Sequence, residues 1–257
     1  MLLAINANNT NTVFAVYDGA TLRGSWRCAT DPKRTADEYI VWLAQLMSFK
    51  TLRREDIDAA ILSSVVPATV FNLKTLCRRY FGCDPLVIGE PNCRLGIELR
   101  VDEPHTVGAD RILNTVAGKD LYSAPLIVVD LGTATTFDVV DKDGNYCGGP
   151  IAPGINLSLH ALELAAAKLP HVAIERPARV IGRNTVQCMQ SGLFWGYVAL
   201  IEGLVHRIRE EFGAPMGVVA TGGLVPLFAG STPVIERVDP DLALWGLYLI
   251  HKRNTAP

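Results

Sequence analysis

The chain has 257 residues, 49% hydrophobic and 19% charged, with a net charge of −2. That balance gives an ordinary globular core and leaves no basic footprint of the kind nucleic-acid binding needs. The six cysteines (28, 77, 83, 93, 147, 188) form no CxxC pair and no zinc spacing, so they read as buried, reduced thiols. The opening MLLAINANN lacks a basic n-region, and no uninterrupted apolar run reaches bilayer length. The expectation is a soluble cytoplasmic protein without a membrane or nucleic-acid partner.

In chain order, Leu2–Ile5 predicts a strand, Asn6–Thr12 a polar loop and Val13–Tyr17 a second strand. Asp18-Gly19 is a tight-hairpin signal leading to a third strand, Thr21–Cys28. Tyr39, Ile40, Leu43, Leu46 and Met47 give Thr35–Phe49 helical periodicity, and Thr35 with Glu38 spells a capping box. Ala59–Ser63 reads as a strand, Pro67 to about Phe81 as a helix, and Pro85–Ile88 as a strand. Glu90–Thr106 reads as a loop crossing between lobes, and Val107–Leu121 as a helix.

Leu126–Thr136, LIVVDLGTATT, is the centre of the pattern. Four apolar residues make a buried strand, Asp130 stands at its end, and Gly132 permits a tight turn. Successive N–H groups in such a turn can hold an anion, and the acid can hold a cation. Beyond it, Pro153-Gly154 opens a helix expected to run through Lys168, and Leu169–Arg183 is irregular. Thr185–Phe212 reads as a long helix, Met216–Ala220 as a strand, Thr221-Gly222-Gly223 as a turn and Pro240–His251 as a final helix. The alternation of strands and helices gives a mixed α/β fold.

The chain also echoes itself. LLAI, NANNTNT and VFAVY match LIVV, DLGTATT and FDVVD, and an Asp-Gly turn follows each set. Two similar halves are expected, each offering one phosphate loop.

Individual residues admit more than one role. Asp110, near a helix start, is either a dipole-stabilising charge or a group that orients and deprotonates a hydroxyl. Arg111 is either its ion-pair partner or a fork for carboxylate or amide oxygens. Asp130 either caps its own turn or binds a cation. Thr185 is either a helix N-cap or a ligand contact. Gly222 and Gly223 serve either a plain turn or close approach of a ligand to the backbone. The five histidines form no spaced cluster; His105 lies closest to Asp110 in sequence.

Taken in order, Asn6–Thr12, Gly108-Ala109-Asp110-Arg111, Asp130–Thr136, Gly148–Gly154, Gly182-Arg183-Asn184-Thr185 and Thr221-Gly222-Gly223 resemble the type III pantothenate kinase family of the actin-like kinase superfamily. The likeness covers essentially the whole chain. It implies two similar actin-like (ribonuclease H-like) lobes with mixed sheets flanked by helices. Residues 1–120 would carry the first phosphate loop and the substrate motif, and 121–257 the second phosphate loop and the adenosine motif. The implied activity is ATP-dependent phosphorylation of the primary hydroxyl of pantothenate, the first step towards coenzyme A, by a cytoplasmic homodimer.

The resemblance makes Asp110 the catalytic base and places Gly108, Ala109, Arg111 and Thr185 at pantothenate. It places Asn6, Ala7, Asn8, Asn9, Thr10, Asn11, Thr12, Val13, Thr133, Gly222 and Gly223 at ATP. Asp130 would hold a monovalent cation, K⁺ or NH₄⁺, and Mg²⁺ would accompany the ATP. Neither phosphate loop carries a basic residue, so N–H groups, hydroxyls and metal ions must offset the phosphate charge.

The family's first loop reads Asp-x-Gly-Asn-Thr, whereas this chain has Asn6-Ala7-Asn8-Asn9-Thr10. Asn6 keeps the shape of an acid and loses its charge, leaving only an amide oxygen for a metal. Asn8 tolerates left-handed backbone better than most residues but adds a side chain beside the phosphate. Weakened handling of ATP–Mg²⁺ is therefore expected. The competing expectation is a catalytically weak or inactive homologue that binds pantothenate or nucleotide, or regulates; some relatives have been described as transcription accessory factors.

Overall fold

The computed structural model describes residues 1–165 and 170–255. The chain forms two compact units. The first comprises Met1–Glu98, Asp102–Ala117 and the last helix; the second comprises Leu99–Val101 and Gly118–Asp241.

The first unit is built on a five-stranded sheet in the order β3-β2-β1-β4-β5. Its strands are β1 (Leu2–Ala7), β2 (Asn11–Asp18), β3 (Thr21–Ala29), β4 (Ala59–Ser64) and β5 (Leu86–Val87). β1 is the middle strand, antiparallel to β2 and parallel to β4. That position explains why all six of its residues are buried rather than alternating. Helix α1 (Ala36–Ser48) begins at the expected capping box: Thr35 Oγ1 accepts from the Glu38 N–H, and the Glu38 carboxylate accepts from the Thr35 N–H. Helix α2 (Pro67–Tyr80) opens on proline, whose missing N–H costs nothing in a first turn. Both helices close over a core containing Leu3, Ile5, Phe14, Tyr39, Leu43 and Leu73.

The second unit repeats the plan. Its strands β6 (Leu126–Leu131), β7 (Ala134–Val140), β8 (Ile151–Pro153), β9 (Gly217–Thr221) and β10 (Arg237–Val238) lie in the order β10-β9-β6-β7-β8. Here β6 is antiparallel to β7 and parallel to β9, as β1 is to β2 and β4. The repeat read in the sequence is thus a repeat of topology. The edge strands β8 and β10, with two or three residues each, lack the length to leave a sequence signal.

Helix α3 (Ala109–Leu121) begins in the first unit and ends in the second. Helix α4 (Ile155–Ala165) starts where Pro153-Gly154 predicts; its expected end at Lys168 lies outside the described residues, as does Leu169. Helix α5 (Thr185–Phe212) spans 28 residues and ends on Gly213 in the left-handed conformation that suits a glycine. It is long and apolar enough to cross a bilayer by length and composition. Its buried face, with Phe194, Tyr197, Val198, Ile201 and Val205, instead packs into the core of the second unit beside Ile127, Val129, Phe137 and Phe228. A short helix, α6 (Val225–Phe228), follows β9.

The last helix, α7 (Leu242–Thr255), packs against β1 and β4 and so belongs with the first unit, across the boundary expected at residue 120. Gly246 permits its close crossing of α3: a Cβ there would lie 2.4 Å from the Leu113 carbonyl oxygen. Of the six cysteines Cys77 alone is buried, Cys28, Cys83, Cys93 and Cys147 are half-buried, and Cys188 in the first turn of α5 is exposed, so the expectation of buried thiols holds in full only at position 77.

Candidate active site

The first turn, residues 8–10, joins β1 to β2. Asn6 pairs with Val13, and Ala7 with Thr12, so both ends of the loop are held in register. Asn11, Thr12 and Val13 lie in β2; Asn9 and Thr10 form the exposed tip. The Asn8 N–H donates to the Asn11 carbonyl at 3.0 Å and closes the turn. Asn6 is 4% exposed, and its amide oxygen is buried without a hydrogen-bond partner; the amide oxygen of Asn8 is in the same condition. A buried acceptor left unpaired costs stability. Two such oxygens at one turn are a donor set suited to a cation, though a neutral one.

The second turn, residues 132–133, joins β6 to β7, and Asp130 lies opposite Thr136 on one side and Thr221 on the other. Two glycines press on it. A Cβ at Gly154 would lie 2.2 Å from the Thr133 carbonyl oxygen and 2.5 Å from that of Gly132. A Cβ at Gly222, whose φ is +99°, would lie 2.5 Å from Asp130 Oδ1. The Gly154 N–H donates to the Thr133 carbonyl at 3.1 Å, and the Leu224 N–H donates to the Leu131 carbonyl at 3.1 Å.

The carboxylate of Asp130 therefore sits in a cradle bounded by Gly132 and Gly222 that any side chain at 222 would fill. That arrangement fits a bound cation. Thr133 is exposed at the tip, and Gly223 faces open space. Tyr197 was not singled out from the sequence. Burial pushes its phenol up to about 12, with the Asp130 charge adding to the shift. It is a neutral O–H near that acid, with the apolar pattern of α5 as its only signal in the sequence.

Gly108 precedes α3, and its carbonyl accepts the first helical N–H groups, from Arg111 at 3.1 Å and Ile112 at 3.3 Å. Ala109 opens the helix and Asp110 follows, with its Oδ1 accepting the Arg111 N–H at 2.9 Å. A Cβ at Gly108 would lie 2.5 Å from that same Oδ1. Burial raises the Asp110 carboxyl above its ordinary value; the Arg111 N–H and the Arg111 charge beside it pull it part of the way back. The Arg111 charge thus offsets part of the charge of Asp110, a carboxylate that burial has desolvated.

Asn184, not Thr185, caps α5: its Oδ1 accepts the Gln187 N–H at 2.9 Å. Thr185 is the first helical residue and is exposed, which leaves its hydroxyl available for another partner. The second unit exposes Ile151, Leu157, Leu164, Val180, Ile181 and Val186, an unusual number of large apolar side chains. His105 is exposed, and among the described residues no group of His, Cys, Asp and Glu is placed to hold a metal on its own. A cation at Asp130 must draw its remaining ligands from carbonyls, amides, water or a ligand's own oxygens.

A sequence model of the family described as type III pantothenate kinase matches residues 2–207. The type III pantothenate kinase of Paramagnetospirillum magneticum is 66% identical over 257 residues, covering 100% of this chain and 99% of the relative. That of Rhodospirillum rubrum is 63% identical over 254 residues, covering 99% of each. Among solved structures, a Campylobacter jejuni chain described as a Baf family transcriptional activator shares the fold, with a TM-score of 0.60 at 19% identity and 98% of each chain covered. With a model matching most of its length and relatives this similar over all of it, the chain belongs to the type III pantothenate kinase family.

Proposed function

We propose that this protein transfers the γ-phosphoryl group of ATP to the primary hydroxyl of pantothenate, giving 4′-phosphopantothenate and ADP, the first step of coenzyme A biosynthesis. The observation that carries this reading is Asp110, a desolvated carboxylate seated against Gly108 at the start of α3. The hydroxyl oxygen attacks the γ-phosphorus as the bond to the ADP oxygen breaks, and the hydroxyl proton passes to Asp110. Phosphoryl transfer asks little covalent chemistry of a protein beyond positioning and charge stabilisation, and raised basicity suits a base that works near neutral pH.

Gly108, Ala109, Arg111 and Thr185 contact pantothenate, with the Arg111 fork on its carboxylate or amide oxygens. Asn6, Ala7, Asn8, Asn9, Thr10, Asn11, Thr12 and Val13 line ATP through N–H and hydroxyl groups. Thr133 contacts phosphate, and Gly222 and Gly223 let adenosine approach the backbone. Asp130 holds K⁺ or NH₄⁺, which offsets phosphate charge when bound. Asn6 meets Mg²⁺ carried with ATP weakly, through a neutral oxygen; its buried, unpartnered amide oxygen supports this. The exposed apolar side chains of the second unit support a homodimer, and the composition supports a cytoplasmic location. The experiment is direct: incubate the purified protein with MgATP, pantothenate and KCl, and identify products by mass. Formation of 4′-phosphopantothenate with matching ADP supports the reading; ADP without it, or neither, defeats it.

A second reading has its own observation. The buried, unpartnered amide oxygens of Asn6 and Asn8 favour a weak or non-catalytic protein that binds pantothenate or nucleotide. Calorimetry on the same sample separates the two, since binding without transfer supports this second reading.

A further inference from the structure

Thr30, the residue just after β3, ties down the first turn at three points. Its N–H donates to the Thr10 carbonyl at 3.0 Å, its hydroxyl donates to the Asn8 carbonyl at 2.7 Å, and its Oγ1 lies 2.8 Å from that of the buried Thr12. A trans peptide is planar, with its C=O and N–H pointing opposite ways. Holding the Asn8 carbonyl towards Thr30 therefore aims the Asn9 N–H away from Thr30, out of the turn. Among the described residues that N–H has no acceptor within the chain. With no lysine or arginine in the turn, the direction of this N–H decides how well the turn receives an anion.

We propose that Thr30 is a positioning residue for nucleotide binding: by fixing the Asn8–Asn9 peptide plane it presents the Asn9 N–H to a phosphate oxygen of ATP. The inference rests on the ATP-binding reading of the first turn and adds to it a residue outside that turn. Thr30 does not itself touch nucleotide.

The test is MgATP titration calorimetry on the full chain and on Thr30→Val and Thr30→Ser, with thermal melting as a check of folding and steady-state KM for each substrate. Valine keeps the shape and the backbone N–H but loses the hydroxyl. It weakens MgATP binding about tenfold, the size expected for one lost oriented hydrogen bond, and leaves the KM for pantothenate within about twofold. Serine restores the hydroxyl and returns MgATP affinity to within about threefold of the parent protein. Unchanged MgATP affinity in Thr30→Val, or an equal loss towards both substrates, overturns the proposal. Amide exchange at Asn9 in the unmodified protein gives an answer even if the valine variant does not fold: slowing on addition of MgATP supports the proposal, and unchanged exchange overturns it. A parent protein that binds MgATP but does not phosphorylate pantothenate defeats the kinase reading alone, and the titrations still decide the role of Thr30.

Discussion

Gly108 makes room for the carboxylate of Asp110: a methyl group at 108 would stand 2.5 Å from Oδ1, well inside contact distance. The glycine is needed for space at this position, so the pair is one device. Gly108→Ala is expected to displace the carboxylate, a flexible side chain, while leaving α3 in place. Steady-state kinetics should show kcat lowered by about 10- to 100-fold, the cost of a misplaced reacting group, with the KM for ATP nearly unchanged.

Burial holds Asp110 above its ordinary carboxyl value, so the folded protein binds that proton more tightly than the unfolded chain does. Ionised Asp110 therefore costs stability. The cost is absent below the unfolded pKa, grows through the window up to the folded pKa, and is complete above it. Asp110→Asn removes it and keeps an oxygen for the Arg111 N–H. The variant should melt at higher temperature than the parent at neutral pH, and the difference should vanish as pH falls through the carboxylate range. Because the base must be ionised to accept a proton, the acid limb of the parent's kcat–pH profile should lie above the usual carboxylate pKa.

The first turn makes a different prediction. Asn6 is 4% exposed and its amide oxygen is unpartnered, so a carboxylate there is costly unless a cation meets it. Asn6→Asp with Asn8→Gly should lower the melting temperature in the absence of divalent ions and recover it with Mg²⁺ and nucleotide. It should also raise kcat/KM for ATP by about tenfold or more, the scale of one charge-assisted contact. Equal, robust activity in both proteins would remove the case that this turn is impaired.

At the second turn, Gly154 lies against two carbonyl oxygens rather than against movable side chains. Gly154→Ala cannot be relieved by a rotamer change, so the turn itself must shift. Thermal or chemical denaturation should show a loss of about 1–3 kcal/mol, the range for overpacking a tight site, together with weaker ATP binding.

What the sequence made legible follows from how local each signal is. The twin meanders, the Thr35 capping box and the span of α5 were readable because periodicity, caps and Asp-Gly turns act within a few residues. The cap of α5 was assigned with less success: Asn184 and Thr185 are both good capping residues, and only the Gln187 N–H bonded to Asn184 distinguishes them. The packing of α7 against β1 and β4 depends on contacts more than 170 residues apart in sequence, which no local pattern encodes. The same is true at the site. Gly154 and Gly222 stand out as motif letters, but what they avoid (the turn carbonyls, the Asp130 carboxylate) belongs to the fold, whereas Gly108 avoids a carboxylate only two residues away. Thr30 carried no signal, because its partners come from a neighbouring hairpin.

On the proposed function, Asp110 accepts the proton of the attacking hydroxyl. Single-turnover formation of 4′-phosphopantothenate by the parent protein and by Asp110→Asn, with MgATP affinity measured on both, tests it most directly. The transfer rate should fall by about 10²- to 10⁴-fold, the usual contribution of a positioned base, with MgATP affinity preserved. Transfer by the asparagine variant at the parent's rate would contradict it.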